Sequence, residues 1–322
     1  MELVFVILFH KNENQLFRLI QRLNENHSFF VVHVCKNYSK YESLTKRFQS
    51  LDNLVFCKRE RATWASYGIV RAMFNGLEEA LLRLGNNFSH LFFLSAQDYP
   101  LQSNREIRRF SSNNENVGFI SNIPIRKTLD KEKEYLSPIK SVWTSHPENG
   151  RYKFYNIKLY RNRFIRLHYE PDPSNTFRAR VFNCFKRISY KLTPSRGFYP
   201  DFEPYIGPQW IILTPEMCKY IVQSFPTDSS YHMYMKMVFC PDEIFFHTLL
   251  LNSKYKNKIL NRCLHFTRWT HYNHPDVFSE DDISTLVEKS HEFLFARKFD
   301  VEIDNRILAL IDQHLAKCTK LR

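Results

Sequence analysis

The alternation of short apolar runs with amphipathic stretches over the first part of the chain constrains the fold more than any other sequence feature. The strand-type runs occupy residues 3–9, 29–35, 54–57 and 90–95. Apolar residues recur at helical spacing in the stretches 14–23, 41–49 and 67–84. Strands that alternate with helices in this way form a largely parallel sheet joined by crossover helices. We therefore expect an α/β fold in which helices flank a Rossmann-like mixed sheet.

The rest of the chain shows no internal repeat and no clear linker. A strand is predicted at 210–213, and helices are predicted at 215–222, 242–251, 281–289 and 304–315. We expect a single domain over residues 1–322, made of a nucleotide-binding half (1–120), a basic insertion (121–205) and an acceptor and catalytic half (206–322). Within the insertion, residues 127–200 carry many Arg, Lys and Tyr residues with little periodicity. This segment either meets the acceptor or a surface, or is a solvated and variable loop region.

Polar residues that directly follow the predicted strands are the first candidates for a site. In open parallel sheets, ligands bind beyond the carboxyl ends of the strands, which singles out His10, Lys36 and the stretches 58–61 and 95–100. No strand is followed by G-x-G-x-x-G or by G-x-x-x-x-G-K-[ST]. Dehydrogenase and P-loop kinase functions therefore lose their main support.

The chain carries a strong excess of positive charge. Lys and Arg number 46 against 33 acidic residues, which gives a formal net charge of +13. Such a field favours an anionic partner: nucleic acid, a phosphorylated small molecule, an acidic glycan or the anionic inner face of a membrane. A basic surface that serves only solubility is the other interpretation.

The seven cysteines are odd in number, widely spaced and never arranged as C-x-x-C. This usage is typical of reduced thiols in a cytosolic protein, so we expect neither disulfides nor a structural metal. The apolar run 3–9 is too short to span a membrane, and it lacks the basic start and the cleavage site of a signal peptide. We expect a cytoplasmic protein that can make peripheral contact with the inner face of the cell membrane.

Three segments place charged side chains where they could act chemically. Asp98 follows the strand-type run 90–95 and precedes a proline, and its carboxylate could bind sugar hydroxyls or orient a neighbour. Asp242 and Glu243 stand at a predicted helix start, where Asp242 can serve as the cap and Glu243 either complements the helix dipole or deprotonates a hydroxyl. Arg297 and Lys298 are adjacent cations that could stabilise a leaving diphosphate or form a surface pair.

Taken together, these segments resemble one enzyme family, the core-2/I-branching β-1,6-N-acetylglucosaminyltransferases with the peptide O-xylosyltransferases and the plant glucuronosyltransferases. The resemblance covers nearly the whole chain, and the order and spacing of its sequence blocks make chance agreement improbable. The blocks occupy residues 61–68, 94–101, 207–214, 241–243 with 252–253, and 295–300. In the last block, Lys298 matches the family's lysine and Arg297 matches the xylosyltransferase-like version.

The resemblance implies a GT-A type glycosyltransferase fold and an inverting transfer from a UDP-sugar, with N-acetylglucosamine and xylose as the donor candidates. It implies that no metal cofactor is needed, and the sequence contains no Asp-x-Asp motif. Glu243 would be the general base, while Arg297 and Lys298 would hold the diphosphate with Asp98 and His10 on the donor side. The residues expected near the acceptor are Trp210, Trp269, Tyr272 and Asp242. Core packing is the alternative for Trp210, because it begins a predicted strand.

The expected partners are a UDP-sugar and a glycan or glycolipid acceptor, as in the synthesis of a surface polysaccharide. Two other classes of function stay open at this point. The charge and the aromatic content of residues 150–200 suggest a nucleic-acid-binding protein, but no zinc finger, basic zipper or RNP-type motif is present, and we expect no nucleic acid partner. The second of these classes is a glycan-binding protein on an inactive transferase scaffold, and the presence of both Glu243 and Lys298 counts against it.

Overall fold

The computed structural model describes residues 1–124 and 202–320, apart from gaps at 225, 227–228, 237, 239 and 271–274, together with three strands between 142 and 168. The helices are α1 (Glu13–Leu23), α2 (Tyr41–Arg47), α3 (Tyr67–Leu84), α4 (Asn104–Asn113), α5 (Pro215–Ser224), α6 (Ser230–Met235), α7 (Phe245–Leu251), α8 (Ile283–Lys289) and α9 (Arg306–Lys320). Short 3₁₀ helices occupy Pro241–Glu243, Lys256–Lys258 and Glu280–Asp282.

The strands form one large sheet and three small ones. They are β1 (Glu2–Phe9), β2 (Ser28–Val34), β3 (Leu54–Phe56), β4 (Phe88–Ser95), β5 (Asp98–Pro100), β6 (Gly118–Phe119), β7 (Ile123–Pro124), β8 (Val142–Glu148), β9 (Arg151–Leu159), β10 (Ile165–His168), β11 (Tyr205–Ile206), β12 (Ile212–Leu213), β13 (Ile259–Leu260), β14 (His265–Thr267) and β15 (Phe295–Arg297). The large sheet has the order β13-β6-β12-β4-β1-β2-β3. Strands β4, β1, β2 and β3 run parallel, while β12 runs antiparallel to both of its neighbours. The predicted α/β class, with a mixed sheet flanked by helices, is confirmed.

Both faces of this sheet pack against a hydrophobic core. Strand β1 contributes to both cores because it carries apolar side chains at successive positions. Leu3, Phe5 and Ile7 point into one core, which also contains the apolar face of α1, while Val4 and Val6 point into the other. That second core contains the apolar face of α3. Strands buried on both faces read as continuous hydrophobic runs, which explains the apolar start of the sequence.

A small sheet next to the carboxyl end of β4 positions the candidate site. Its order is β14-β15-β5, with β15 parallel to β14 and antiparallel to β5. The pairing sets Arg297 directly opposite Asp98, although the two residues lie 199 positions apart in the sequence. Residues Asp98–Pro100 form a strand and not a turn, because β15 supplies backbone partners to this segment. Pro100 is tolerated there since β5 is an edge strand.

Four other local interpretations are corrected by the structure. The helix predicted over 242–251 is two elements, because the Glu243 carbonyl accepts from the Gly207 amide at 2.9 Å and the backbone leaves helical geometry at Ile244. Asp242 does not cap a helix, since neither element has a side-chain cap. The strand predicted from Trp210 is limited to Ile212–Leu213. Within residues 127–200, three strands form an antiparallel sheet of order β10-β9-β8, so this segment is not all loop.

The cysteines of the described chain are all unpaired: Cys35, Cys57, Cys218, Cys240, Cys263 and Cys318. Cys184 lies outside the described residues. Within the described ranges, no helix has the length and apolar character needed to cross a bilayer. His, Cys, Asp and Glu side chains do not gather there in groups of three that could hold a metal ion.

Candidate active site

The candidate site begins where β1, β4 and β15 end. His10 follows β1 directly and Lys298 follows β15 directly. His10 is exposed at its surface, and nearby protein atoms partly desolvate it. This partial desolvation, together with the positive charges of Lys11, Lys298 and Arg297, lowers the pKa of His10 to about 4. The structure therefore gathers three cations around a histidine that is neutral at pH 7.

Arg297 is held in this cluster by its NH1 nitrogen. NH1 donates to Oδ1 of Asp98 and to Oγ of Ser95, each at 2.9 Å. The guanidinium lies over the ring of Trp210, with 4.1 Å between its central carbon and the ring centroid. Both hydrogen bonds use a single nitrogen, and 16% of the side chain remains exposed. Arg297 is thus fixed on one side and accessible on the other.

Asp98 is fully buried and its carboxylate is engaged on both oxygens. Oδ2 accepts from the backbone amide of Ser95 at 2.7 Å, and Oδ1 accepts from the Ser95 hydroxyl at 2.9 Å in addition to Arg297. Burial raises the pKa of Asp98, while Arg297 and these hydrogen bonds oppose the shift. Direct binding of ribose or sugar hydroxyls by Asp98 does not fit this geometry. The alternative role, the orientation of a neighbour, fits it well.

The loop after Lys298 is anchored by two buried glutamines: Gln97, which lies in the stretch 95–100 singled out in the sequence, and Gln15, which the sequence interpretation missed. The Gln15 side chain donates to the Phe299 carbonyl at 2.9 Å and accepts from the Val301 amide at 3.2 Å. The Gln97 side chain also donates to the Phe299 carbonyl, at 3.3 Å. A buried glutamine on the apolar face of the predicted helix 14–23 was the signal available in the sequence.

Lys11 completes the anchoring of this loop and was also missed. Its Nζ lies 2.6 Å from Oδ2 of Asp300. Burial lowers the pKa of Lys298, and the neighbouring charges of Arg297 and Lys11 lower it further. Neighbouring positive charges in this site repel one another. A bound anion would offset that repulsion, so the site favours anion binding.

Glu243 lies on a separate turn, which two left-handed residues join to the segment before α3. Cys240 (φ 48°) precedes the 3₁₀ helix, and its amide donates to the carbonyl of Ala65 (φ 57°) at 3.2 Å. Such backbone is uncommon for residues other than glycine, and it clusters at functional sites. The same contact brings the neighbouring Trp64, which is 66% exposed, close to the Glu243 turn. Trp64 belongs to the first family-like block, but the sequence interpretation assigned it no role.

The Asp242 and Glu243 carboxyl groups both sit in a poorly solvated environment. Asp242 is 6% exposed and its Oδ1 has no hydrogen-bond partner, while Glu243 keeps a partly exposed surface. Burial raises the pKa of Asp242, and burial together with the charge of Asp242 raises the pKa of Glu243. A partly exposed carboxylate with a raised pKa is suited to accept a proton near neutral pH.

One short segment links the Glu243 turn to the cation cluster. At its start, Gly207 donates its amide to the Glu243 carbonyl, and at its end Trp210 lies under the Arg297 guanidinium. Three Cα steps of ~3.8 Å keep Gly207 and Trp210 within about 11 Å of each other. The structure therefore brings Glu243 and the cations to one region. Trp210 is 8% exposed, so it packs in the core as the alternative interpretation had it.

Trp269 follows β14 and is 59% exposed. Thr267 of β14 pairs with Arg297 of β15 in parallel register. Trp269 therefore leaves the small sheet at the same end as Lys298, the carboxyl end of the two strands. Its neighbour Arg268 is fixed by ion pairs to Asp276 at 2.9 Å and to Asp282. Tyr272 lies outside the described residues.

Comparison with known protein families and sequences agrees with the resemblance noted in the sequence. The family model described as "Core-2/I-Branching enzyme" matches residues 3–145 and 149–290. Xylosyltransferase 2 of Rattus norvegicus is 25% identical over 321 residues, which cover 94% of this chain and 32% of the relative. Xylosyltransferase 1 of Rattus norvegicus is 21% identical over 334 residues, covering 97% and 35%. The chain thus spans about a third of the length of these curated relatives.

Similar solved structures include apo mouse xyloside xylosyltransferase 1, which is 9% identical with a TM-score of 0.38 and covers 92% of this chain and 97% of that one. Another is S. aureus TarS 1–349 in complex with UDP, 12% identical with a TM-score of 0.29, covering 37% and 35%. Scores this low do not establish a shared fold by themselves. The fold class rests on the sheet order and helix placement described above.

Proposed function

Because the chain belongs to the Core-2/I-branching enzyme family, we propose that it is a glycosyltransferase that moves a sugar from a UDP-sugar to a hydroxyl group of a glycan. The family match and the curated xylosyltransferases make N-acetylglucosamine and xylose the donor sugars to test. One observation carries the proposal: a carboxylate with a raised pKa, Glu243, shares a short segment with an anchored cation cluster.

In this proposal the reaction is a single displacement. Glu243 accepts the proton of the acceptor hydroxyl while that oxygen forms a bond to the anomeric carbon of the donor. The bond between the anomeric carbon and the diphosphate oxygen breaks at the same time, and UDP leaves with the electron pair. Attack from the face opposite the leaving group inverts the anomeric configuration.

The cation cluster supplies the second half of the chemistry. Arg297 and Lys298 would stabilise the negative charge that develops on the leaving diphosphate, with Lys11 close by. Neutral His10 can donate one hydrogen bond to a phosphate oxygen without adding charge. Since fixed cations can fulfil the role that a metal ion fulfils in other transferases, we propose that this transfer needs no metal.

The acceptor would approach from the side of Glu243. Trp269 offers an exposed aromatic face to a sugar ring, and Trp64 lies next to the Glu243 turn. Buried Asp242 would act on the acceptor only through Glu243, whose pKa it raises. A surface polysaccharide or lipid-linked glycan, assembled at the inner face of the cell membrane, is the acceptor that we propose to examine first.

Nucleotide binding in the presence of EDTA tests this proposal. We expect UDP and one UDP-sugar to raise the melting temperature of the wild-type protein, while GDP and CMP have smaller effects. The donor is identified as whichever of UDP-GlcNAc and UDP-xylose raises the melting temperature more. Lys298→Ala should lose the shift because it removes one cation at the diphosphate. Lys258→Ala changes an exposed lysine beside β13 and is the matched control.

Two results would contradict the proposal. One is the absence of a shift with any nucleotide, which would favour a glycan-binding role for the scaffold. The other is a UDP shift that Lys258→Ala and Lys298→Ala reduce equally, which would indicate a general effect of positive charge and not a diphosphate site.

A further inference from the structure

His265 is a buried imidazole that no step of the proposed chemistry uses. It lies on β14, is 3% exposed, and has no hydrogen-bond partner on either ring nitrogen. Its ring stacks with two aromatic rings, Trp210 at 5.4 Å and Phe295 at 5.1 Å between centroids. An apolar ring would fill this space without leaving a polar group unsatisfied, so packing alone does not account for a histidine.

The nearest charge explains the choice. Nε2 of His265 lies 3.7 Å from Oδ2 of Asp98, which is too long for a hydrogen bond but within a shift of about 0.7 Å of one. Oδ2 accepts from the Ser95 amide and has capacity for one more donor. Burial and the charge of Arg297 lower the pKa of His265 to about 3, so its ring is neutral and carries a single N–H.

Asp98 needs such a donor when Arg297 binds an anion. In the present arrangement, Arg297 is the only formal charge hydrogen-bonded to the Asp98 carboxylate among the described residues. A diphosphate bound on the exposed side of that guanidinium would share its positive charge and weaken the pair that Arg297 forms with Asp98. A buried carboxylate whose ion pair is weakened is destabilised, which would oppose binding.

We propose that His265 is a positioning residue for the donor diphosphate. Its N–H hydrogen-bonds Oδ2 of Asp98 as Arg297 shares its charge with the phosphate oxygens. The carboxylate therefore stays paired, and the guanidinium stays over Trp210. This inference rests on the proposed function, because the ligand that shares the Arg297 charge is the diphosphate of a UDP-sugar.

The experiment compares the dissociation constants of UDP and UMP by calorimetry for the wild type and for His265→Phe. We expect His265→Phe to melt no lower than the wild type and to bind UDP about tenfold more weakly, with UMP affinity nearly unchanged. His265→Gln keeps an N–H donor and should recover part of the UDP affinity. Asp98→Asn removes the carboxylate charge and should lower the UDP-to-UMP preference without any change at position 265.

His90→Phe is the matched control. His90 is another buried imidazole, and it lies five residues before Ser95 on β4, roughly 17 Å away. We expect this control to leave the UDP-to-UMP ratio unchanged, even where it lowers the melting temperature through loss of the hydrogen bond to Val117. A lowered ratio in this control would show that the readout reports general packing, which overturns the inference.

The other outcomes are equally decisive. His265 is only a packing residue if His265→Phe binds UDP as tightly as the wild type, or if its affinities for UDP and UMP fall by the same factor. In either case the inference fails while the proposed function stands. If the wild type binds no uridine nucleotide, the proposed function fails, and the inference fails with it.

Discussion

Asp242 and Glu243 are neighbouring carboxyl groups that the fold keeps poorly solvated. Single residues with this property are functional candidates, because ordinary surface carboxylates stay ionised and cost nothing to expose. The Glu243 pKa is raised by burial first and by the Asp242 charge second. Ionisation of the buried Glu243 carboxyl group therefore lowers the stability of the folded protein as pH rises. This effect of a single residue can be measured separately from activity.

Glu243→Gln should therefore stabilise the protein in a pH-dependent way. Between the ordinary pKa of a glutamate and the raised value, the folded protein holds a proton that the unfolded chain has released. The free energy of unfolding of the wild type consequently falls as pH rises through this window. Glutamine does not titrate, so the variant escapes the loss.

Thermal melts of both proteins at a series of pH values check this. We expect similar melting temperatures near pH 4 and an advantage for Glu243→Gln above pH 8, on the order of 1 kcal/mol for each pKa unit of the shift. An advantage that is the same at every pH would show that Glu243 titrates normally.

At the scale of the element, the segment from Gly207 to Trp210 connects the Glu243 turn to the cation cluster. A Cβ atom on Gly207 would lie 1.9 Å from the Ser121 carbonyl oxygen and 2.9 Å from Nε2 of His247. The backbone there can approach only because the residue is glycine. Any larger residue must displace this segment from Ser121 and thus from the Glu243 turn.

We expect Gly207→Ala to cost roughly 1–3 kcal/mol of stability, the usual range for overpacking, and to lower kcat/KM as well. Gly118→Ala is the comparison, because its Cβ would meet chiefly the end of the flexible Met217 side chain, at 2.7 Å. Chemical denaturation and initial rates of both variants check the prediction. Equal losses in the two variants would mean that the segment has no special role.

The sequence predicted local elements well and long-range pairings poorly. The helix α3 is found over Tyr67–Leu84 as predicted, since its apolar spacing alone specifies it. The antiparallel contact between β5 and β15 joins segments 199 positions apart, and no periodicity within either one indicates it. The sequence therefore placed Asp98 and Arg297 on the donor side of the site but did not indicate that they pair. His265 could not be found at all, because a lone histidine in a short apolar strand has no distinguishing pattern.

At the scale of the whole molecule, the formal charge of +13 is the dominant property. Net charge speaks to association with anionic surfaces and not to the fold. If the proposed acceptor is a glycan assembled at a membrane, the positive charge would attract the protein to the anionic membrane surface.

We expect the protein to co-sediment with vesicles that contain phosphatidylserine at low ionic strength and to be released as salt increases. The reason is that the Debye length falls from about 30 Å at 0.01 M to about 3 Å at 1 M. Neutral phosphatidylcholine vesicles are the control. Failure to bind anionic vesicles at low salt would contradict a peripheral membrane role.

We propose that Glu243 is the base of a metal-independent, inverting transfer. Proton NMR of reactions with UDP-GlcNAc or UDP-xylose and a panel of saccharide acceptors in EDTA tests this role. We expect an anomeric product signal of inverted configuration from the wild type. Glu243→Gln should give a rate about 10²–10⁴-fold lower with an unchanged dissociation constant for UDP. A product of retained configuration, or a Glu243→Gln variant as fast as the wild type, would contradict it.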